Sequence, residues 1–261
     1  MRNRRLAFAG LALATAITLT GCGPKDNATS AGAPAGTATK QAATQADPTT
    51  ELAAAVAKLN QDTMRVSMTM AGSVHGGGVA DPKAQTAELT MDMGDIGQGT
   101  KMQLRKVGTD IYLKIGGELG KVTGSGDKWM HLDATKLPAG SSVGMMSGDD
   151  PAGAKTLMKA VTEVKRSGDT YTGTLDLSKS PQYNSDKLKA LGGKATTVPF
   201  TARVDDQGRL TELTVDMERV AAGAGQLKST YSDFGTAVSV SRPPKSEVTE
   251  LPSQLKGIFK S

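Results

Sequence analysis

From Met64 to Ile115 apolar and polar residues repeatedly change places at every second position. Met64, Val66, Met68 and Met70 alternate with Arg65, Ser67 and Thr69. Leu89, Met91 and Met93 alternate with Glu88, Thr90 and Asp92. Met102 and Leu104 alternate with Lys101, Gln103 and Arg105, and Ile111, Leu113 and Ile115 with Tyr112 and Lys114. Successive side chains of a strand point to opposite faces, so this pattern demands a sheet with one apolar face and one wet face. Residues 72–78, 108–110, 116–117 and 124–126 are rich in glycine and read as turns. Residues 129–132 read as a short strand closing this antiparallel meander.

Helical spacing appears around it. Residues 51–60 place Leu52, Val56 and Leu59 on one face, with Thr49 or Thr50 as cap and Glu51 in the first turn. Residues 133–138 read as one helical turn. Asp150-Pro151 opens a helix through Ala160, and residues 185–191 form another that ends at Gly192-Gly193. A second strand set follows the same logic: residues 162–166 and 170–177, then Phe200, Ala202 and Val204. The turn 205–209 leads to Leu213, Val215 and Met217, facing inward, and residues 227–234 and 237–241 finish the sheet. Pro243-Pro244 ends it, and a weakly structured tail carries Val248, Leu251, Leu255, Ile258 and Phe259. The order predicts an α+β fold: a large curved antiparallel sheet, a half-barrel, with helices packed on its concave face.

The apolar face is unusual in kind. The chain has 12 Met against 4 Phe, 4 Tyr and 1 Trp. Met64, Met68, Met70, Met91, Met93, Met102 and Met217 all fall at inward strand positions. Methionine adapts its shape readily, whereas a core built for stability alone favours Leu, Ile, Val and Phe. Two readings follow from composition: the methionines fill the space under the helices, or they line a cavity for flexible chains.

The N-terminus carries a different signal. Arg2, Arg4 and Arg5 precede an uncharged apolar stretch, residues 6–19, and then Leu19-Thr20-Gly21-Cys22. A positive cap, a short apolar run and small residues make a secretory signal peptide over residues 1–21. The run is short for a membrane span, which needs about 20 apolar residues. Leu-x-Gly-Cys at its end resembles the bacterial lipobox, which implies diacylglycerol on Cys22 and cleavage before it. Cys22 is the only cysteine, so no internal disulfide can form. Residues 23–50 lack large apolar side chains and read, with Cys22, as a flexible tether over 22–50. Residues 51–261 remain as one β-rich domain.

Removal of residues 1–21 takes away three of the 31 basic residues and none of the 26 acidic ones. The excess falls from +5 to +2, and no basic run is interleaved with aromatics, so nucleic acid is not an expected partner. His75 and His131 are isolated and have no cysteine partner, which argues against zinc. Asp149-Asp150 and Asp205-Asp206 read as cap and turn residues. Gly76-Gly77-Gly78 lacks the Lys-Ser/Thr of a phosphate loop, and no Gly-x-Ser-x-Gly elbow is present. No enzyme activity, cofactor or metal is expected.

The lipobox, the polar tether, the starting helix and the Met/Leu meander resemble the actinobacterial LppX/LprA/LprF/LprG lipoprotein family. Residues 204–210 and the ending 231–244, followed by Glu247-Val248, are similar to its closing strands. The likeness covers roughly residues 51–251 and rests on order and spacing. It implies a fold related to the LolA/LolB lipoprotein carriers, with acyl chains of lipids or lipoglycans held between sheet and helices. The expected cavity residues are Met64, Val66, Met68, Met70, Leu89, Met91, Met93, Met102, Leu104, Ile111, Leu113, Leu213, Val215 and Met217, with Met145 and Met146 at a mouth. The alternative expectation is a non-enzymatic envelope module with a filled core, partnering a membrane transporter or sensor.

Overall fold

A computed structural model describes residues 46–122, 126–136, 154–179, 196–220 and 222–252. Contacts divide the chain into Met1–Ala43, outside the described residues, and Thr44–Ser261, which holds the whole sheet. Six strands come first: β1 (Met64–Met70), β2 (Val74–Asp81), β3 (Thr86–Asp92), β4 (Lys101–Val107), β5 (Asp110–Ile115) and β6 (Trp129–Asp133). Six more follow: β7 (Val161–Ser167), β8 (Thr170–Leu175), β9 (Val198–Val204), β10 (Leu210–Asp216), β11 (Gln226–Ser232) and β12 (Val248–Glu250). Three α-helices are described: α1 (Pro48–Lys58), α2 (Gly117–Val122) and α3 (Ala154–Ala160).

The strands make one unclosed sheet in the order β12-β6-β5-β4-β3-β2-β1-β11-β10-β9-β8-β7. Every described pair is antiparallel except β12 on β6. Two meanders, β1–β6 and β7–β11, are joined where β1 pairs β11. This is the α+β half-barrel that the alternation predicts, with helices on the concave face.

Residues paired across neighbouring strands share a face, so register builds continuous rows on the inner surface. Starting from β8, a row runs Gly173, Phe200, Val215, Leu227, Met70 and Val74. Another runs Met68, Gly76, Met91, Met102 and Ile115. Helix α1 buries Leu52, Ala55 and Val56 against this surface. Its cap is Asp47, whose carboxylate accepts from the Thr50 amide at 3.1 Å, with Pro48 in the first turn. The cap thus lies earlier than Thr49 or Thr50, because Pro48 already has the backbone angle that a first helical residue needs.

Three further differences have physical causes. Residues 76–78 belong to β2 and not to a turn; only residues 71–73 reverse the chain. Gly76 and Gly78 hold inward positions with no side chain, so the alternation is invisible there. Residues 116–117 do not simply turn but lead into α2. Residues 237–241 form no strand: the segment between β11 and β12 runs as a strap without a sheet partner. The expected helix at 150–160 is described only as α3, and residues 185–191 lie outside the described residues.

The strap is pinned at both ends. The Gly235 amide donates to the Thr63 carbonyl, the Thr63 hydroxyl donates to Thr236 O at 2.6 Å, and Arg65 pairs with Asp233 at 2.8 Å. Farther along, Arg242 donates to Asp110 Oδ2 at 2.8 Å, while His131 Nε2 meets Asp110 Oδ1 at 2.7 Å. Arg242 first and His131 second hold the Asp110 carboxyl below its usual range. A depressed carboxylate pKa stabilises the fold above the ordinary value near 3.8, and this contribution is lost as pH falls through the folded value. Asp110→Asn should therefore cost about 1 kcal/mol at neutral pH, given partial exposure. It should also weaken the acid dependence of stability below the carboxylate range, as read by urea unfolding across pH.

Candidate functional site

Buried side chains gather in two separate cores on the inner face. The larger unites α1 with β8–β11 and with one end of β1–β3, and includes Leu52, Val56, Leu59, Met64, Ala80, Ala87, Leu175, Val198, Phe200, Ala202, Val215 and Tyr231. The smaller lies under β4–β6 and comprises Leu104, Ile111, Leu113, Ile115, Met130 and Leu132. Toward the other end of β1, β2 and β3 runs a seam. Met68, Met70, Leu89, Met91 and Met93 sit on it and, among the described residues, belong to neither core. Met68, Leu89, Met91 and Met93 are half-buried, and Met70 is 38 % exposed.

The glycines of β2 give the seam its depth. Gly76 pairs Met68 on one side and Met91 on the other; Gly78 pairs Val66 and Leu89. The floor of the trough is therefore backbone, and its walls are flexible thioether side chains. A Cβ on Gly76 would meet Thr90 O at 3.4 Å and Met68 Cε at 3.8 Å, so there is room above it. A Cβ on Gly78 would land on the Glu88 carbonyl, with Leu89 Cα 2.9 Å away. Strand packing itself excludes a side chain at Gly78.

At the far end of β3 and β4 the seam opens into a cleft of about 320 Å3. Met93, Met102, Leu119 and Val122 supply its apolar wall, with Gln98, Thr100 and Glu118 beside them. Such a surface can desolvate an unbranched hydrocarbon chain, because each methylene leaving water is worth about 0.8 kcal/mol and methionine follows its shape.

The sequence-predicted residues fall into three groups. Met68, Met70, Leu89, Met91 and Met93 line the seam. Val66, Leu213 and Met217 pack beside the larger core, and Met102 beside the smaller. Met64, Val215, Leu104, Ile111 and Leu113 are buried inside the cores. Met145 and Met146 lie outside the described residues.

Sequence reasoning missed Lys106. It shares its face with Met102 and Leu104 and pairs with Ala87 and Ile111, yet only 3 % of it is exposed. Burial lowers its pKa from the usual 10.5. The folded chain then holds fewer protons than the unfolded chain between the lowered value and 10.5. Stability should rise with pH across that window. Thermal unfolding should show this alkaline rise in the native chain and a flatter profile in Lys106→Met. The signal for Lys106 was in the alternation, where it continues Met102 and Leu104 in phase.

The wet face is ordered by charge. Arg105 pairs with Glu88 at 2.7 Å across the strand register, and its guanidinium lies 4.8 Å from the Trp129 ring centroid. His131 is hydrogen-bonded to Asp110, as an isolated strand histidine should be. Asp205 accepts the amides of Gln207 and Arg209 and closes the predicted turn. Among the described residues no cluster of His, Cys, Asp or Glu is placed to hold a metal ion. No described helix is long and apolar enough to cross a membrane.

No family model matches the chain, and no curated protein matches it.

Proposed function

We propose that this chain is an extracytoplasmic lipoprotein, anchored to the cell membrane by lipid on Cys22, that binds or transfers acylated lipids or lipoglycans. The observation that carries the reading is the half-buried methionine seam. Two buried cores already stabilise the sheet, and among the described residues the apolar stretch at the Met70–Met93 end of β1–β3 joins neither. A side chain that neither core uses, on a face sheltered from water, suits a ligand of the same polarity. The likeness to the LppX/LprA/LprF/LprG lipoproteins points the same way, as does a lipobox that would hold the domain beside its cargo. Binding would be by desolvation alone, without catalysis or cofactor.

Native mass spectrometry of the full chain exported from a bacterial host tests this. The reading expects a population heavier than the polypeptide and its anchor by the mass of one acylated lipid. A protein that exports without lipid, and takes none up from vesicles, would sink it in favour of a filled module that partners a transporter or sensor.

A further inference from the structure

Among the described residues only three large apolar side chains are exposed: Met70, Leu119 at 45 % and Val122 at 81 %. They are not scattered. Met70 ends β1, and register carries that end through Val74, Asp92 and Lys101 to Ile115, after which α2 follows with Leu119 and Val122. All three therefore project at one end of the sheet. This is the end where the seam opens, since Leu119 and Val122 share the cleft with Met93 and Met102.

Helix α1 enters at the other end. Glu51 pairs with Arg166 at 2.6 Å beside the β7–β8 turn, and Lys58 reaches the Gln207 carbonyl in the β9–β10 turn. Both turns lie at the end where β1 begins, as the pairing of Ser232 with Arg65 shows. The chain between Cys22 and Asp47 has a contour length of about 80 Å at full extension, against about 23 Å for a seven-residue strand. A chain anchored at Cys22 can thus turn its exposed apolar end toward the membrane that holds it.

We infer that Met70, Leu119 and Val122 form a lip that inserts into a lipid bilayer surface at the mouth of the seam. The occupant is set by the anchor: the bilayer is the one apolar surface that the proposed attachment at Cys22 keeps within reach. The charges near the lip are balanced. Lys101 pairs with Asp92 and Lys121 with Glu118. Insertion is therefore carried by apolar burial and not by attraction to anionic headgroups. The inference rests on the proposed lipid attachment and seam, but its test does not need cargo.

The test uses residues 22–261 with Cys22→Ser, so that neither the apolar stretch of residues 6–19 nor an anchor masks the lip, and flotation on phosphatidylcholine vesicles. The native lip should bind, and added salt should leave binding unchanged. Leu119→Asp with Val122→Asp should lose about tenfold or more in vesicle affinity, because two side chains can no longer leave water. Ala237→Asp with Ser239→Asp adds the same charge on the strap and should bind like the parent. Circular dichroism and thermal unfolding confirm that each variant is folded. Binding that needs phosphatidylglycerol and vanishes in salt would overturn the inference, as would equal flotation of the lip variant. A fluorescent fatty acid titrated without vesicles reads the seam separately: its failure would remove the cargo reading while leaving a lip-dependent flotation standing.

Discussion

A chain carrying Gly76→Leu should fold normally and lose acyl-chain affinity by about fiftyfold. The leucine side chain would fill the space over the trough floor and displace roughly three methylenes of a bound chain. At about 0.8 kcal/mol each, that is ~2.4 kcal/mol of lost burial. Stability should hold, since the nearest atoms to an added Cβ are at ordinary contact distance. The neighbouring Gly78→Ala should do the reverse. Its methyl would strike the Glu88 carbonyl and the backbone of Leu89, which can yield only by parting β2 from β3. A loss of about 3 kcal/mol in unfolding free energy is expected. Paired urea titrations and fatty-acid titrations of the two variants separate a ligand site from a structural one. Loss of both properties in Gly76→Leu would count against the trough.

Cys22→Ser, exported behind a leader that is cut without lipidation, should be stripped from the membrane fraction by a carbonate wash, because only the weaker lip contact remains. A single acyl chain gives marginal anchoring, whereas a diacylglyceryl group supplies two, at about 0.8 kcal/mol per buried methylene. The mass of the mature N-terminus provides the check: the native chain should begin at a lipid-bearing Cys22, and the variant should carry no lipid. A Cys22→Ser protein that stays membrane-bound after a salt and carbonate wash would contradict the proposed anchor.

The sheet was legible because its inward positions are large and apolar over most strands. Met64 to Met70, Ile111 to Ile115 and Phe200 to Val204 carry period two in side chains that burial rewards. β2 was not legible, since Gly76 and Gly78 leave its inward face blank. The strap misled for the opposite reason: Val238 and Val240 alternate with Ala237, Ser239 and Ser241, yet the edge strands of the sheet are β12 and β7, and the strap pairs with neither. β12 is three residues long and parallel to β6, and so short a run carries no period. The candidate site was legible as a set of methionines and not as a place. Whether an inward methionine fills a core or lines the seam depends on which helix lies over it. Met64 lies in the core that α1 completes, and Met68, two inward positions along the same strand, belongs to neither core among the described residues. Lys106 fits the period but not the polarity, and it is buried beside Ala87 and Ile111.

The most direct measurement is photo-crosslinking with a fatty acid that bears a diazirine along its chain, followed by peptide mapping of the labelled full-length protein. The seam predicts label on Met68, Met70, Leu89, Met91 and Met93, reduced by an excess of unlabelled lipid and lost in Gly76→Leu. Label confined to the wet face, around Tyr112 and His131, or none that unlabelled lipid can displace, would contradict it.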